Sequence, residues 1–246
     1  MTAIPRASSD LPTSPVSPSA GSPGGQSRRS GGLRPARPIL TYLLLDLYRS
    51  LREPANLFFV ITFPVAMYLV FGRLNASAGD YGPHAHGNVS ASVMLAMASF
   101  SACLGATSAS AAAAVEQSAG WGRQMAVTSR GLRGYLVVKT GTAVGTAALP
   151  VVVVLTAGAL TDSQMEGWVW VVSPLICLIG VLPFVLWGLA AGMWLPSSAS
   201  IGIATSLVSL FAFIGNAFMP LSHTLLTISR FTPMYGATAL ARWPLG

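Results

Sequence analysis

Three short constellations in this chain carry residue types suited to chemistry. His84 and His86, in PHAHG, offer the ring nitrogens that a zinc site uses. They stand two residues apart without a third ligand, so the expected setting is a solvated loop, and no metal site is assigned. His223, between Ser222 and Thr224, puts a base beside two hydroxyls. It lacks the acid partner and the strained elbow that would turn either hydroxyl into a nucleophile. GLRGYLVVKT, at 131–140, contains the Lys-Thr pair of a phosphate loop. Val138 occupies the position where that loop needs glycine, and the segment precedes an apolar run instead of following a buried strand. The chain is therefore read as no enzyme, with no cofactor or nucleotide site of its own. Cys103 and Cys177 lie inside apolar runs, in neither ligand spacing nor a disulfide framework, and read as packing residues. Asn75-Ala-Ser77 and Asn88-Val-Ser90 match a glycosylation pattern that is frequent by chance.

The elements that would position these groups are set by where charge is missing. Only 9% of the 246 residues are Asp, Glu, Lys or Arg, against roughly 25% in a soluble domain. None occurs in 54–72, 81–115, 140–161 or 167–229. As helix, the last stretch alone would extend about 95 Å, while a bilayer's hydrocarbon core is about 30 Å thick. It must cross more than once. The pattern predicts an all-α polytopic membrane protein with five visible spans, at about 55–72, 89–115, 141–160, 167–192 and 199–219. Pro64 predicts a kink in the first span, Pro150 interrupts the third, and Pro174 and Pro183 fall in the fourth. Such breaks within a bilayer argue for a packed bundle that satisfies the freed backbone groups. The second span is mostly Ala, Ser and Gly, with small residues every fourth position at Ala98, Ala102, Ala106, Ser110 and Ala114. That spacing admits a neighbouring helix closely and places this span inside the bundle.

Outside the spans the chain changes character. Residues 1–35 are rich in Ser, Pro and Gly, bury too little to offset ordering entropy, and are expected to form a disordered tail. They contain no apolar stretch of the kind found in a cleaved signal peptide. Residues 38–53 read as an amphipathic helix, with Asp46, Arg49, Ser50 and Glu53 on one face and Leu40, Leu43, Leu44, Leu47 and Leu51 on the other. It fits the plane of a membrane interface, and the plainer alternative is a helix packed on protein. Seven Arg precede the first span and Arg123, Arg130, Arg133 and Lys139 lie in 116–140, whereas Arg73, Arg230 and Arg242 fall on the opposite side. The positive-inside bias makes the N-terminus and the 116–140 loop cytoplasmic, in a multi-pass protein of the plasma membrane.

The segment VEQSAGWGRQMAVTSRGLRGYLVVK, at 115–139, is the most informative. It resembles the loop of the type-2 ATP-binding cassette export permeases, which runs approximately E-x-x-x-G-x-x-x-x-L-x-x-[ST]-P. Glu116, Gly120, Met125 and Thr128 fit that register, and Ser129 replaces the proline. The resemblance implies a coupling helix that docks in a groove of the ATPase, with Trp121, Arg123, Gln124 and Met125 making the contact. A second point of similarity is 215–242, where Gly215, Pro220, Leu221, Pro233, Tyr235 and Arg242 match the segment following the family's fifth span. There the resemblance implies short re-entrant helices on the outer side, over 220–243.

Together these similarities cover 38–246. They imply a permease subunit, 36–246, that forms a homo- or heterodimer with a second permease and engages two copies of a separate ATPase, on which ATP and Mg would bind. The substrate would be hydrophobic or amphipathic, such as a drug, antibiotic or lipid, although the family also exports polysaccharides. Family members carry a sixth span after the outer segment, and the sequence is expected to stop short of it. Two other classes stand beside this one. A non-transporting membrane scaffold or sensor would use the same spans. An ion-driven carrier is disfavoured because no ionisable residue lies near the middle of a span.

Overall fold

Prolines and polar residues mark several of the helix starts in this chain, while other prolines lie within unbroken helices. The structure, a computed structural model, describes residues 37–52, 54–82, 85–118, 120, 131–161, 163–195, 198–215, 217–218 and 227–246. The expected disordered tail, 1–35, lies outside them. Helix α1, Arg37–Arg52, carries Pro38 in its first turn, where a missing N–H breaks no helical bond. Helix α2, residues 54–74, is built from Pro54–Leu57, a π-helical turn Phe58–Thr62, and Phe63–Leu74. Pro64 has no N–H to give the Val60 carbonyl. The chain answers one turn earlier, where the Phe63 N–H bonds the Phe58 carbonyl five residues back. A π turn thus precedes Pro64, the residue at which the sequence predicts a kink.

Helix α3, Val89–Ser118, is capped by Asn88, whose Oδ1 accepts the Ala91 N–H at 2.9 Å and the Gln164 N–H at 3.1 Å. Helix α4, Gly131–Ala159, begins ten residues before the expected third span and runs without a break past Pro150. Helices α5, Val169–Gly180, and α6, Leu182–Trp194, are separated by the single residue Val181, with Pro183 in the first turn of α6. Helix α7, Ser198–Ile214, ends five residues earlier than the expected fifth span. Helix α8, Pro233–Arg242, starts on Thr232, whose Oγ1 accepts the Tyr235 N–H at 3.3 Å.

Among the described residues, three stretches are long and apolar enough to cross a membrane: Val89–Gln117, Val138–Ala159 and Val169–Trp194, the last made of α5 and α6. Phe58–Leu74 and Ala199–Ile214 are shorter apolar helices. The architecture is that of a helical, membrane-embedded protein, and no strand occurs among the described residues. Within it α3 is the axle. In the most apolar window of α3, 89% of residues are buried, against 28% for the Val169–Trp194 stretch. The small residues make this possible. At Gly105, a Cβ would overlap the Thr146 carbonyl of α4. At Gly188 and Gly192 of α6, a Cβ would fall 2.5 Å from the Thr107 carbonyl and 2.6 Å from the Ala111 carbonyl of α3. Thr107 also donates to the Cys103 carbonyl at 2.8 Å and the Phe184 carbonyl at 3.3 Å, pinning α3 to α6 by its own side chain. Leu69 and Val70 of α2, Val152 of α4, Leu175 and Ile179 of α5, Leu186 of α6 and Phe213 of α7 point outward. Such a belt is what lipid would cover.

Candidate functional site

Two polar clusters close the opposite ends of α3. The first gathers three charged residues that are far apart in sequence. Lys139, on the first turns of α4, places Nζ 2.7 Å from Oε2 of Glu116, near the end of α3. The same ammonium lies 3.1 Å from both carboxylate oxygens of Asp46 on α1. Thr142, one turn further along α4, donates its hydroxyl to Oδ2 of Asp46 at 2.8 Å. The Lys139 and Asp46 side chains are 13% and 12% exposed, and Glu116 is 31% exposed. Two carboxylates share one ammonium, with Lys139 and Asp46 largely sheltered from water and Glu116 partly exposed. Charges in such a setting hold position because each depends on the others for its solvation. The result is a clamp: α1, the end of α3 and the start of α4 are joined at one point.

The clamp flanks the 116–140 segment. Gly120, just past α3, adopts φ +89° and donates its N–H to the Gln117 carbonyl at 3.1 Å. That is a left-handed turn favouring glycine. Trp121, Arg123, Gln124, Met125 and Thr128 lie outside the described residues, as does all of 121–130. The sequence pattern singled out Glu116 but not its partners. Asp46 stands on the polar face of an expected interfacial helix, and the structure turns it to α4. Lys139 is the last charge before an uncharged run, and Asp46 is the one acid of α1. Charges at membrane level pair with one another, and that rule was the available signal.

The second cluster closes the other end. Tyr68 of α2 shares its hydroxyl with Thr161 at 2.5 Å and Ser163 at 2.8 Å. The His86 N–H bonds the Leu245 carbonyl at 2.8 Å, and the Glu166 N–H bonds the His86 carbonyl at 2.9 Å. His86 thus belongs to a clasp: its Nδ1 lies 2.9 Å from Oε1 of Glu166, and the Trp168 indole donates to Oε2 at 2.7 Å. The hydrogen bond from His86, followed by that from Trp168, holds the Glu166 carboxyl below its ordinary range. His84 and His223 lie outside the described residues.

The residues expected in the outer segment gather partly around α8. Gly215 ends α7 and packs against Met234 and Thr232, where a Cβ would stand 3.0 Å and 3.1 Å from their side-chain atoms. Pro233 opens α8, and Tyr235 receives the Thr232 cap. Arg242 closes α8 and donates Nε to the Ser92 carbonyl of α3 at 3.0 Å, so the end of α8 is tied to the start of the axle. Pro220 and Leu221 lie outside the described residues. No family model matches this chain, and neither the curated proteins nor the solved structures return a match.

Proposed function

We propose that this chain is the membrane permease subunit of an ATP-binding cassette exporter. It would span the plasma membrane five times in the present sequence, through α2, α3, α4, the α5–α6 pair and α7, with its N-terminus in the cytoplasm. The outer segment around α8 would cap the bundle as re-entrant helices. A separate ATPase, in two copies, would bind ATP and Mg, and a second permease subunit would complete the pathway. The cargo would be hydrophobic or amphipathic, because the spans are apolar and carry no charged residue near their middles.

The observation that carries this reading is the Asp46–Lys139–Glu116 clamp. An exporter powered from outside its own chain needs a segment that receives force and a rigid way to pass it into the spans. The 116–140 segment leaves α3 at Glu116 and returns through α4, which bears Lys139. Any push on it therefore reaches α3, α4 and α1 together. A partner shifts such an equilibrium only by contacting the two states differently, so the segment must meet the ATPase differently as nucleotide comes and goes.

Two results test the proposal. Gly120→Pro removes the N–H that closes the turn and demands φ near −65° where the chain has +89°. It should abolish export while leaving insertion in the membrane intact, and Arg123→Glu should do the same by opposing the docking charge. Normal export by both variants at equal expression would overturn the coupling assignment. Pull-down of the full-length chain should bring with it a soluble protein bearing a phosphate loop. A reporter fused at residue 125 should report the cytoplasmic side.

A further inference from the structure

Helix α1 presents three faces, and each has a different environment. With about 100° between successive residues, Asp46 and Leu47 occupy the face turned to α4. Asp46 is taken up by Lys139 and Thr142, and Leu47 lies over Gly145, where a Cβ would come 3.1 Å from it. Leu40, Leu44 and Tyr48, at i, i+4 and i+8, form a second stripe that is exposed. Leu45, Arg49 and Arg52, at i, i+4 and i+7, form a third stripe beside it, also exposed. The Arg52 guanidinium stands over the Tyr48 ring at 5.5 Å and joins the two outer stripes. Among the described residues neither Arg49 nor Arg52 pairs with a carboxylate.

The turning inward of Asp46 has an electrostatic consequence. It is the one acid of Arg37–Arg52, and it is engaged inside the bundle by Lys139, which Glu116 shares. Among the described residues of α1, what remains outside is apolar along one stripe and bears two arginines along the next, with Glu53 following just beyond the helix in sequence. Water would suit the arginines but leave the leucines exposed, and a hydrocarbon surface would do the reverse. A bilayer interface offers both environments side by side, one a few ångströms deeper than the other.

We infer that the outward face of α1 docks on a leaflet rich in anionic phospholipid. Leu40, Leu44 and Tyr48 enter the acyl boundary while Arg49 and Arg52 meet the headgroup phosphates. Zwitterionic headgroups satisfy the apolar stripe equally well. Net negative charge is what distinguishes the two surfaces for the arginines, at about 1 kcal/mol for each basic residue near the surface. The inference requires a membrane-embedded chain and stands independently of the ATPase reading. Through Asp46, the docked helix would bear on the same lysine that anchors Glu116.

The test uses the purified full-length chain in detergent, titrated with phosphatidylglycerol or phosphatidylcholine, with retained lipids counted by native mass spectrometry. The unaltered protein should retain phosphatidylglycerol preferentially. Arg49→Gln with Arg52→Gln should reduce that preference about tenfold, the discrimination expected from about 1 kcal/mol for each of the two charges after partial screening. Arg49→Lys with Arg52→Lys should keep it. Arg28→Gln, Arg29→Gln and Arg34→Gln together should also keep it, which separates α1 from the basic tail. Equal retention of the two lipids by the unaltered protein would overturn the inference. So would a preference that survives the glutamine pair, or that disappears with the tail substitutions alone. Loss of a co-purifying protein from the glutamine pair, with lipid retention unchanged, would assign the face to a protein partner instead.

Discussion

Lys139→Met should lower the thermal midpoint of the purified protein by roughly 6–12 °C. Removal of the lysine leaves the carboxylates of Asp46 and Glu116 facing one another without their shared cation. Breaking one side of a buried ion pair costs about 3–5 kcal/mol, and the partial exposure of Glu116 favours the lower end. At about 2–4 °C for each kcal/mol in a chain of this size, the shift follows. Lys139→Arg should restore most of it, because a guanidinium can still serve both carboxylates. The decisive comparison is the triple variant Lys139→Met, Asp46→Asn, Glu116→Gln. With no charge left to strand, it should be more stable than Lys139→Met alone, a non-additivity that independent residues would not give. Fluorescence-detected size-exclusion chromatography after heating reads all three. A Lys139→Met protein as stable as the unaltered one would show that the clamp bears no load.

The second large effect is steric. Gly188→Val should prevent accumulation of folded protein, because a side chain there meets the backbone of α3 at Thr107 and the hydroxyl of Ser110. Backbone cannot rotate away as a side chain can, so α6 must leave the axle to make room. Overpacking at a yielding site costs about 1–3 kcal/mol, and this site does not yield. Gly105→Val should act likewise at the α3–α4 crossing. Gly202→Ala on α7 is the matching control, since nothing stands within 4 Å of its Cβ. It should leave yield unchanged or raise it slightly, as Ala favours helix over Gly by about 1 kcal/mol. Equal yields for Gly188→Val and Gly202→Ala would show that the α3–α6 contact is not what holds the bundle.

Much of this architecture was legible because charge is scarce. Long uncharged runs marked the apolar helices, and Ala98, Ala102, Ala106, Ser110 and Ala114 marked α3 as the helix that others approach. The start of α4 was less legible. Arg130, Arg133 and Lys139 gave the segment before residue 141 the look of a loop, yet a helix can extend beyond the apolar run as a charged stalk. The partner of Asp46 was not legible at all. Helical periodicity assigns a side chain to a face but not to what that face meets, and Asp46 meets a residue 93 positions away. The α1 leucines were similarly ambiguous: Leu47 packs on α4 while Leu40 and Leu44 point outward, although periodicity had grouped all three.

Pro150 sits in the middle of α4 without ending it. Lacking an N–H, it gives nothing to the carbonyl of Thr146, and that carbonyl lies against Gly105, where no side chain intervenes. One rung of the helical ladder is therefore absent before any motion begins. Bending α4 at this point breaks one hydrogen bond fewer than bending it elsewhere, at the place where the backbone of α3 lies directly against it.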